Sequence, residues 1–430
     1  MYDEKRISYC INLTVYLRYG ILFLVRKVVI IIDKILKGYS LRIYPTKKQQ
    51  GLITRTFGCT RFVWNKMLDM QISRYENNKN SKYQNSISMK NLLKSLKQEY
   101  LWLKEADGIS LQASCENLDQ SYQRFFKHIA KYPRFKSRKH YTQSYTTKLN
   151  NNNIELLDNH HIKLPKLHAV YFRSGRLPQG KIKRATIRIN SQGQYYCSVL
   201  CEQDKSDNQT LPKTHENVGI DLGLTDLAIL SNGTKYPKST YDTELVKNLK
   251  IWERKMSRRQ RNALKEIAFD KHEKVLHPRE LKDLPRYQQA RKVVAKYKAK
   301  IANRRKDRLQ KLTTSIVKNF DIIVVEDLRT SNMLKNHNLA KAIENASWYE
   351  FVRELEYKCD WYGKQLIKVA PQNTSRRCSN CGMLNKKFSK LSQNEWMAVR
   401  HWNCPNCGTH LDRDINASIN ILNKGLEKLA

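Results

Sequence analysis

The stretch "CPNCGTHLDRDINASINI", residues 404–421, sets two cysteines two residues apart against Asp412 and Asp414, then runs directly into a helical pattern. Ile415, Ile419, Leu422, Leu426 and Leu429 follow at spacings of 4, 3, 4 and 3, the period of one helix face. Asp414 therefore falls at the start of an amphipathic helix. The cysteine pair has an upstream counterpart in Cys378 and Cys381, with 22 residues between Cys381 and Cys404, and each pair is followed by glycine. Two such knuckles converging four thiolates on one ion make a closed tetrahedral shell, so the zinc they would hold is structural and has no open position for catalysis. A redox pair is the competing reading, but two knuckles at this spacing are far more specific than one. His401 and His410 lie near enough to substitute as ligands; with Cys378, Cys381, Cys404 and Cys407 available they read as surface residues.

Asp414 has acidic company further upstream. "VGIDLGL" (218–224) is a short buried strand whose alternation sets Val218, Ile220 and Leu222 on one face and Asp221 on the other. "DIIVVEDL" (321–328) is a continuous apolar run, as in a strand covered on both faces, with Glu326 at its end. "LAILSNGTKY" (227–236) reads as two strands around an Asn-Gly turn. Residues 241–319 read as helices broken by Pro278 and Pro285; a helix over about 339–362 and the strand "QLIKVAP" (365–371) follow. The order β-β-β-α-β-α-β-α is the ribonuclease H-like arrangement, in which the first and fourth strands are neighbours. Asp221, Glu326 and Asp414 then surround one spot. Three clustered carboxylates are costly unless divalent cations occupy the site. Two Mg2+ ions about 3.5–4 Å apart would activate a water and stabilise the leaving oxygen of a phosphodiester, which makes hydrolysis of that bond the natural chemistry. The ordinary alternative makes Asp221 a turn former, Glu326 half of an ion pair and Asp414 a helix cap. Asp226, Asp327 and Asp412 fit those roles better.

The whole chain agrees with a polyanionic partner. Its 430 residues suffice for two to four domains, and 40% are apolar. The 80 Lys and Arg against 39 Asp and Glu give a formal charge of +41, which repels itself unless nucleic acid neutralises much of it. Residues 247–311 alone carry 23 Lys and Arg against 7 Asp and Glu, a nucleic-acid-facing or a merely solvated helix pair. "KYPRFKSRKHYTQSYTT" (131–147) interleaves cations with Tyr and Phe in a loop-like context, the composition of a surface that tracks phosphates and stacks on bases. Cys10, Cys59, Cys115, Cys197, Cys201 and Cys359 show no pairing pattern and read as thiols in a reducing compartment. The apolar run "YGILFLVRKVVIIIDKIL" (19–36) is interrupted by Arg26, Lys27, Asp33 and Lys34, so it is read as neither signal nor membrane anchor but as a buried strand pair or as sequence translated from an early start codon. "KGYSLRIYPTKKQQ" from Lys37 alternates as a strand, and Pro45-Thr46 offers the start of a helical region to about residue 130; residues 162–202 read as an antiparallel barrel or sheet.

"VGIDLGLTDLAILSNG", "IVVEDL", "HNLAKAIENASWYEF", "CSNCG", "CPNCG" and "DRDINASINIL" resemble the TnpB (OrfB) family, RNA-guided nucleases encoded by small bacterial insertion elements and related to type V CRISPR effectors. "KGYSLRIYPTKKQ", "GCTRFVWNKML" and "YPRFKSRKHYTQSYTT" extend the likeness from about Lys37 to Leu422. The resemblance implies an α/β and α+β multidomain chain. Its expected parts are an extension (1–36), a wedge β-barrel (37–48 and 131–210) with an inserted helical recognition domain (49–130), a RuvC-like nuclease domain (214–371 and 411–430) and a zinc ribbon (372–410) inserted before the last helix. It maps Asp221, Glu326 and Asp414 onto the three catalytic, magnesium-holding carboxylates, with Arg413 and Asn416 flanking the third. It implies structural Zn, catalytic Mg, a guide RNA from the element's end, target DNA beside a short motif, no membrane, a monomer bound to its RNA, and a place in the bacterial cytoplasm or on the nucleoid. The alternative is an RNA-guided DNA-binding protein or transposition regulator without cleavage. Two departures stand out: the first 36 residues have no counterpart, and Arg376 and Arg377 precede the first knuckle where a residue such as glutamine is commoner.

Overall fold

In the computed structural model the described residues are 16–18, 21–23, 34–138, 143–204, 210–223, 225–237, 243–265, 281, 284–328, 347–391 and 393–429. Strands β1 (Tyr16–Arg18) and β2 (Ile21–Phe23) pair antiparallel; most of the apolar stretch around them lies outside the described residues. Among the described residues no helix is long and apolar enough to cross a membrane.

The N-terminal half is built on a seven-stranded antiparallel sheet. Its strands are β3 (Lys34–Ile43), β4 (Ser144–Lys148), β5 (Glu155–Leu156), β6 (His161–Leu164), β7 (His168–Arg173), β8 (Lys181–Ile189) and β9 (Tyr195–Asp204), in the spatial order β4-β8-β9-β3-β7-β6-β5. Two boundaries differ from the sequence reading. β3 starts at Lys34, inside the expected extension, because its ladder with β9 runs unbroken from Ile43–Tyr195 to Lys34–Asp204. Ser144–Lys148 forms a strand inside the stretch read as a basic loop, since Tyr145 and Thr147 point into the core.

Helices α1 (Lys47–Asn77), α2 (Ser86–Glu99) and α3 (Gly108–Phe126) are inserted between β3 and β4. Thr46 and Gln49 form a capping box that starts α1, while Asn85 and Asp107 cap the other two through their side chains. Trp64 and Asn65 on α1 clamp the basic segment that follows: Trp64 Nε1 donates to Arg134 O at 3.0 Å, and Asn65 exchanges two bonds with the Lys136 backbone.

The C-terminal half holds a mixed five-stranded sheet. β10 (Asn217–Asp221), β11 (Asp226–Leu230) and β12 (Lys235–Pro237) are followed by α4 (Thr243–Lys265) and α5 (Pro285–Asn319), then β13 (Ile322–Glu326), α6 (Trp348–Tyr362) and β14 (Gln365–Val369). The spatial order is β12-β11-β10-β13-β14, so the first and fourth strands are adjacent, and they are parallel. Pro285 opens α5, where its missing N–H costs nothing. Pro278, the other expected break, and residues 339–346, expected to begin the helix resolved here from Trp348, lie outside the described residues.

A small unit follows β14: α7 (Gln393–Ala398), then the hairpin of β15 (His401–Asn403) and β16 (His410–Asp412), leading into α8 (Arg413–Leu426). Helices α5 and α6 cover one face of the five-stranded sheet, packing Leu309, Leu312, Phe351 and Leu355 on Val218, Ile220, Ile323 and Val325. α8 covers the other face around Val324, Val369 and Ile421.

The apolar stripe read along α8 is not its buried face. Ile415, Ile419, Leu422 and Leu426 are half-buried and Leu429 is exposed, whereas Asn416, Ala417, Ser418, Asn420, Ile421 and Gly425 are buried. Small residues win because the helix lies almost on the sheet backbone. A Cβ on Gly219 would stand 2.0 Å from Ser418 O, and one on Gly425 would stand 2.4 Å from Val324 Cγ2. Gly219→Ala is therefore expected to destabilise the protein by about 3 kcal/mol, the upper range for overpacking, read as a fall in the denaturant midpoint at unchanged slope.

Candidate active site and metal centre

The parallel register pairs Ile220 with Val325, so the next step along both strands sets Asp221 beside Glu326 at the carboxyl ends of β10 and β13. α8 delivers Asp414 to the same edge from its first turn. Asp412, not Asp414, caps the helix: its Oδ1 accepts from the N–H groups of Asp414 and Ile415 at 3.0 Å each, and its other oxygen pairs with Lys235 of β12 at 2.7 Å. That leaves the Asp414 carboxylate for other partners. Arg413 holds it at 2.8 Å and Arg400 at 3.3 Å.

Asp221 feels the other two acids. Burial, then Glu326, then Asp414 push the Asp221 carboxyl up to about 8, against the opposing pull of Arg413. Burial also raises Glu326, whose Oε1 accepts a 2.7 Å bond from the Thr374 hydroxyl and faces the positive charge of Lys424. Three carboxylates at one sheet edge are the oxygen donors a hard divalent cation prefers. The carboxylate oxygens are not drawn to within 4.8 Å as a set; Asp414 is engaged by its two arginines instead.

Four sulfurs are drawn that close. Cys378, Cys381, Cys404 and Cys407 hold their Sγ atoms within 4.8 Å of one another, with Cys378–Cys407 at 3.7 Å and Cys381–Cys404 at 3.6 Å. Zn–S bonds of about 2.3 Å place the sulfurs of a tetrahedron about 3.8 Å apart, so the cage fits zinc as it stands. The two knuckles are built alike: Gly382 N donates to Cys378 O and Gly408 N to Cys404 O, both at 2.9 Å. These glycines have φ of 74° and 71°, left-handed values that favour glycine after each CxxC. The Thr409 hydroxyl and backbone hold the Cys407 thiol down at about 6, toward the thiolate a metal needs. His401 and His410 stack on each other at 5.5 Å on the hairpin surface and take no part in the cage.

Asn416, named in the sequence as flanking the third acid, and Asn420, which sequence reasoning missed, join cage to acids. Asn416 Oδ1 accepts from Ser379 N at 2.8 Å and its Nδ2 donates to Arg377 O at 2.7 Å. One turn on, Asn420 Nδ2 donates to Arg377 O and Thr374 O at 2.7 and 2.8 Å. α8 thereby grips the first knuckle and the turn carrying Thr374, which orients Glu326. The Asn-x-x-x-Asn spacing was the available signal; polar residues at helix period read as a solvent face until the ribbon is in place. If Glu326 holds metal in a nuclease, as the resemblance implies, Thr374→Val is expected to lower cleavage about 10- to 100-fold, the usual cost of losing a partner of a metal ligand, with zinc content unchanged by elemental analysis and activity retained in Thr374→Ser.

The chain is 33% identical over 406 residues to a protein of Streptomyces pristinaespiralis named putative RNA-guided DNA endonuclease, covering 92% of this chain and 90% of that one. The chain belongs to the TnpB (OrfB) family. It is also 30% identical over 419 residues to the putative RNA-guided DNA endonuclease InsQ of Escherichia coli (strain K12), covering 92% and 94% of the two chains. Three family descriptions match along this TnpB-family chain: "Helix-turn-helix domain" over residues 35–80, "Probable transposase" over 198–337 and "Cas12f1-like, TNB domain" over 348–421. The first span holds β3 and the single long helix α1. The last holds α6 through most of α8, including the cysteine cage. A solved Cas12f1–sgRNA–target DNA complex contains a chain of similar fold, with a TM-score of 0.53 at 15% identity over 90% of this chain and 98% of that one. The TnpB-family chain is thus an α/β multidomain protein with the architecture of a Cas12 effector and a four-cysteine zinc cage.

Proposed function

We propose that the protein is an RNA-guided, Mg2+-dependent DNA endonuclease in which Asp221, Glu326 and Asp414 form the catalytic, magnesium-holding site. In this reading the five-stranded sheet with α8 is a RuvC-like nuclease domain interrupted by the zinc ribbon, and the seven-stranded sheet with its inserted helices is the wedge and recognition unit. The guide RNA comes from the end of the encoding element, and the target is DNA beside a short motif. Both of the relatives described above carry names for this activity. The carrying observation is the meeting of the three acids at one sheet edge, with Asp221 pushed up to about 8.

Mg2+, when bound, supplies Lewis acidity at the scissile phosphate. The protein's own share is to hold the acids at one edge: Thr374 fixes Glu326, the Asp412 cap fixes the helix start, and Asp414, held here by Arg413 and Arg400, would be the third carboxylate to hold the metal. An uncompensated acid with a raised pKa has a stated consequence for pH. The stability it lends the metal-free fold is full in acid and is lost as pH rises through about 8. Divalent cations should restore it, so the Mg2+-induced rise in melting temperature is expected to be larger at pH 8.5 than at pH 6. Equal shifts at the two values would detach Asp221 from metal binding.

The function is tested by sequencing the RNA that co-purifies with the protein and assaying that complex with Mg2+ on a randomised DNA library. A discrete RNA whose end dictates the cut sequences is the expected result. An intact library in the presence of bound RNA would reduce the protein to an RNA-guided binder.

A further inference from the structure

A cavity of about 550 Å3 opens between the loop joining β7 to β8 of the seven-stranded sheet and the α5–α6 pair. Its lining includes Arg176 from that loop, Lys311 and Lys318 from α5, and Lys358, Trp361 and Tyr362 from α6. The one carboxylate in the wall, Asp307, is already paired with Lys311 at 2.8 Å. Lys358 is buried at the floor, donating to Gln310 O and to the Thr313 and Thr314 hydroxyls, with Glu354 3.7 Å away. Beside the cavity the Lys37 ammonium stands 5.3 Å over the Trp361 ring. Burial lowers the pKa of both Lys37 and Lys358; Glu354 opposes the fall at Lys358, and the nearby charge of Arg176 adds to it at both. Cations that crowd one hollow in this way repel one another unless an anion enters it.

The cavity is not an annex of the acidic site. α6 begins at the catalytic edge, where Trp348 Nε1 donates to Gly223 O, two residues past Asp221. Its last turn lies at the opposite edge, where Gln365 N donates to Asp321 O just before β13. Thirteen helical steps from Trp348 to Trp361 separate the two by about 20 Å. α6 also covers the sheet face opposite α8. A nucleotide held here lies clear of the three acids. Cations together with two aromatic rings in an open hollow suit a single unstacked nucleotide, the form in which proteins commonly read RNA loops and bulges.

We propose that this cavity receives one unpaired nucleotide of the bound RNA, its phosphate against Arg176 and Lys318 and its base against Trp361 and Tyr362. The inference rests on the RNA-binding part of the function proposed above. It adds a site that ties the two halves of the chain together through RNA.

The test uses the full chain and its co-purified RNA, with affinity measured across a salt series for wild type, Arg176→Ala/Lys318→Ala and Trp361→Ala. Both replaced cations are exposed, so the double variant should fold as wild type does. Losing one phosphate contact should make the slope of log K against log salt shallower by about 0.7. Trp361→Ala should weaken binding about 5- to 150-fold, the range for loss of one stacked base, with the slope kept. Trp361→Phe, which retains a ring, should fold and recover most of the affinity. RNA carrying 4-thiouridine should crosslink to the peptide containing Trp361 and Tyr362. Wild-type affinity and slope in all variants, while the wild-type chain binds RNA tightly, would overturn the pocket and leave the nuclease reading standing. Unchanged RNA affinity with weakened target-DNA binding would make it a DNA site and overturn the assignment to RNA. A wild-type chain that binds no RNA would overturn both proposals.

Discussion

Replacing Asp221 or Glu326 with alanine is expected to abolish DNA cleavage, by about 10³-fold or more, while guide-directed binding to the matched target survives. The magnitude follows from the several kcal/mol of charge stabilisation that a metal site supplies to a phosphodiester transition state. The separation of cleavage from binding follows from the position of the acids. They stand at the tips of two central strands, so removing a side chain there leaves the ladders of β10 and β13 intact. Asp221→Ala should even stabilise the metal-free protein above neutral pH, because it removes an acid whose ionisation the fold opposes up to about pH 8. Gel shifts with guide RNA and target, set beside cleavage time courses, check the first part, and thermal melts in EDTA check the second. Cleavage at the wild-type rate in either variant would refute the assignment of these residues.

Cys404→Ser should cost zinc and activity together. Among the described residues the ribbon's own core is six buried side chains, Cys378, Phe388, Trp396, Trp402, Cys404 and Leu411, two of which belong to the cage. So small a core cannot offset chain entropy alone. Structural zinc contributes about 10–16 kcal/mol in isolated finger peptides, so the ribbon's fold and its metal are expected to be lost as one. The damage does not stay local. Asn416 and Asn420 grip the backbone of Arg377 and Ser379 beside the first knuckle, and the same grip holds Thr374 against Glu326. Arg413 N also donates to Arg400 O at 2.8 Å, so the ribbon's hairpin frames Asp414 as well. Elemental analysis and cleavage assays on the same preparation give the check. Full cleavage by a zinc-free variant would break the link between cage and acids.

The cage was legible in the sequence because metal geometry dictates spacing: two CxxCG knuckles permit little else. The strand tips were legible too, since a buried strand ending in an acid stands out against an apolar run. What escaped the sequence was whatever depends on close approach. α8 looked like an ordinary amphipathic helix, yet its buried face is Asn416, Ala417, Ser418, Asn420 and Gly425, chosen by the need to lie on Gly219 and to bond the ribbon backbone. Thr374 carried no signal at all, because its role exists only once β13 and the ribbon turn are side by side. The strand at 144–148 was hidden in a run of cations and hydroxyls whose alternation, Tyr145 and Thr147 inward, is only two residues deep. The start of β3 was hidden in the apolar stretch ahead of it.

The central claim is that Asp221, Glu326 and Asp414, brought together at one sheet edge, are a divalent-metal site. Anomalous scattering from crystals of the RNA complex grown with Mn2+ tests it most directly. The account predicts manganese peaks among those three carboxylates, with Asp414 released from Arg413 and Arg400. Manganese bound elsewhere, with the three acids left as they are, would contradict it.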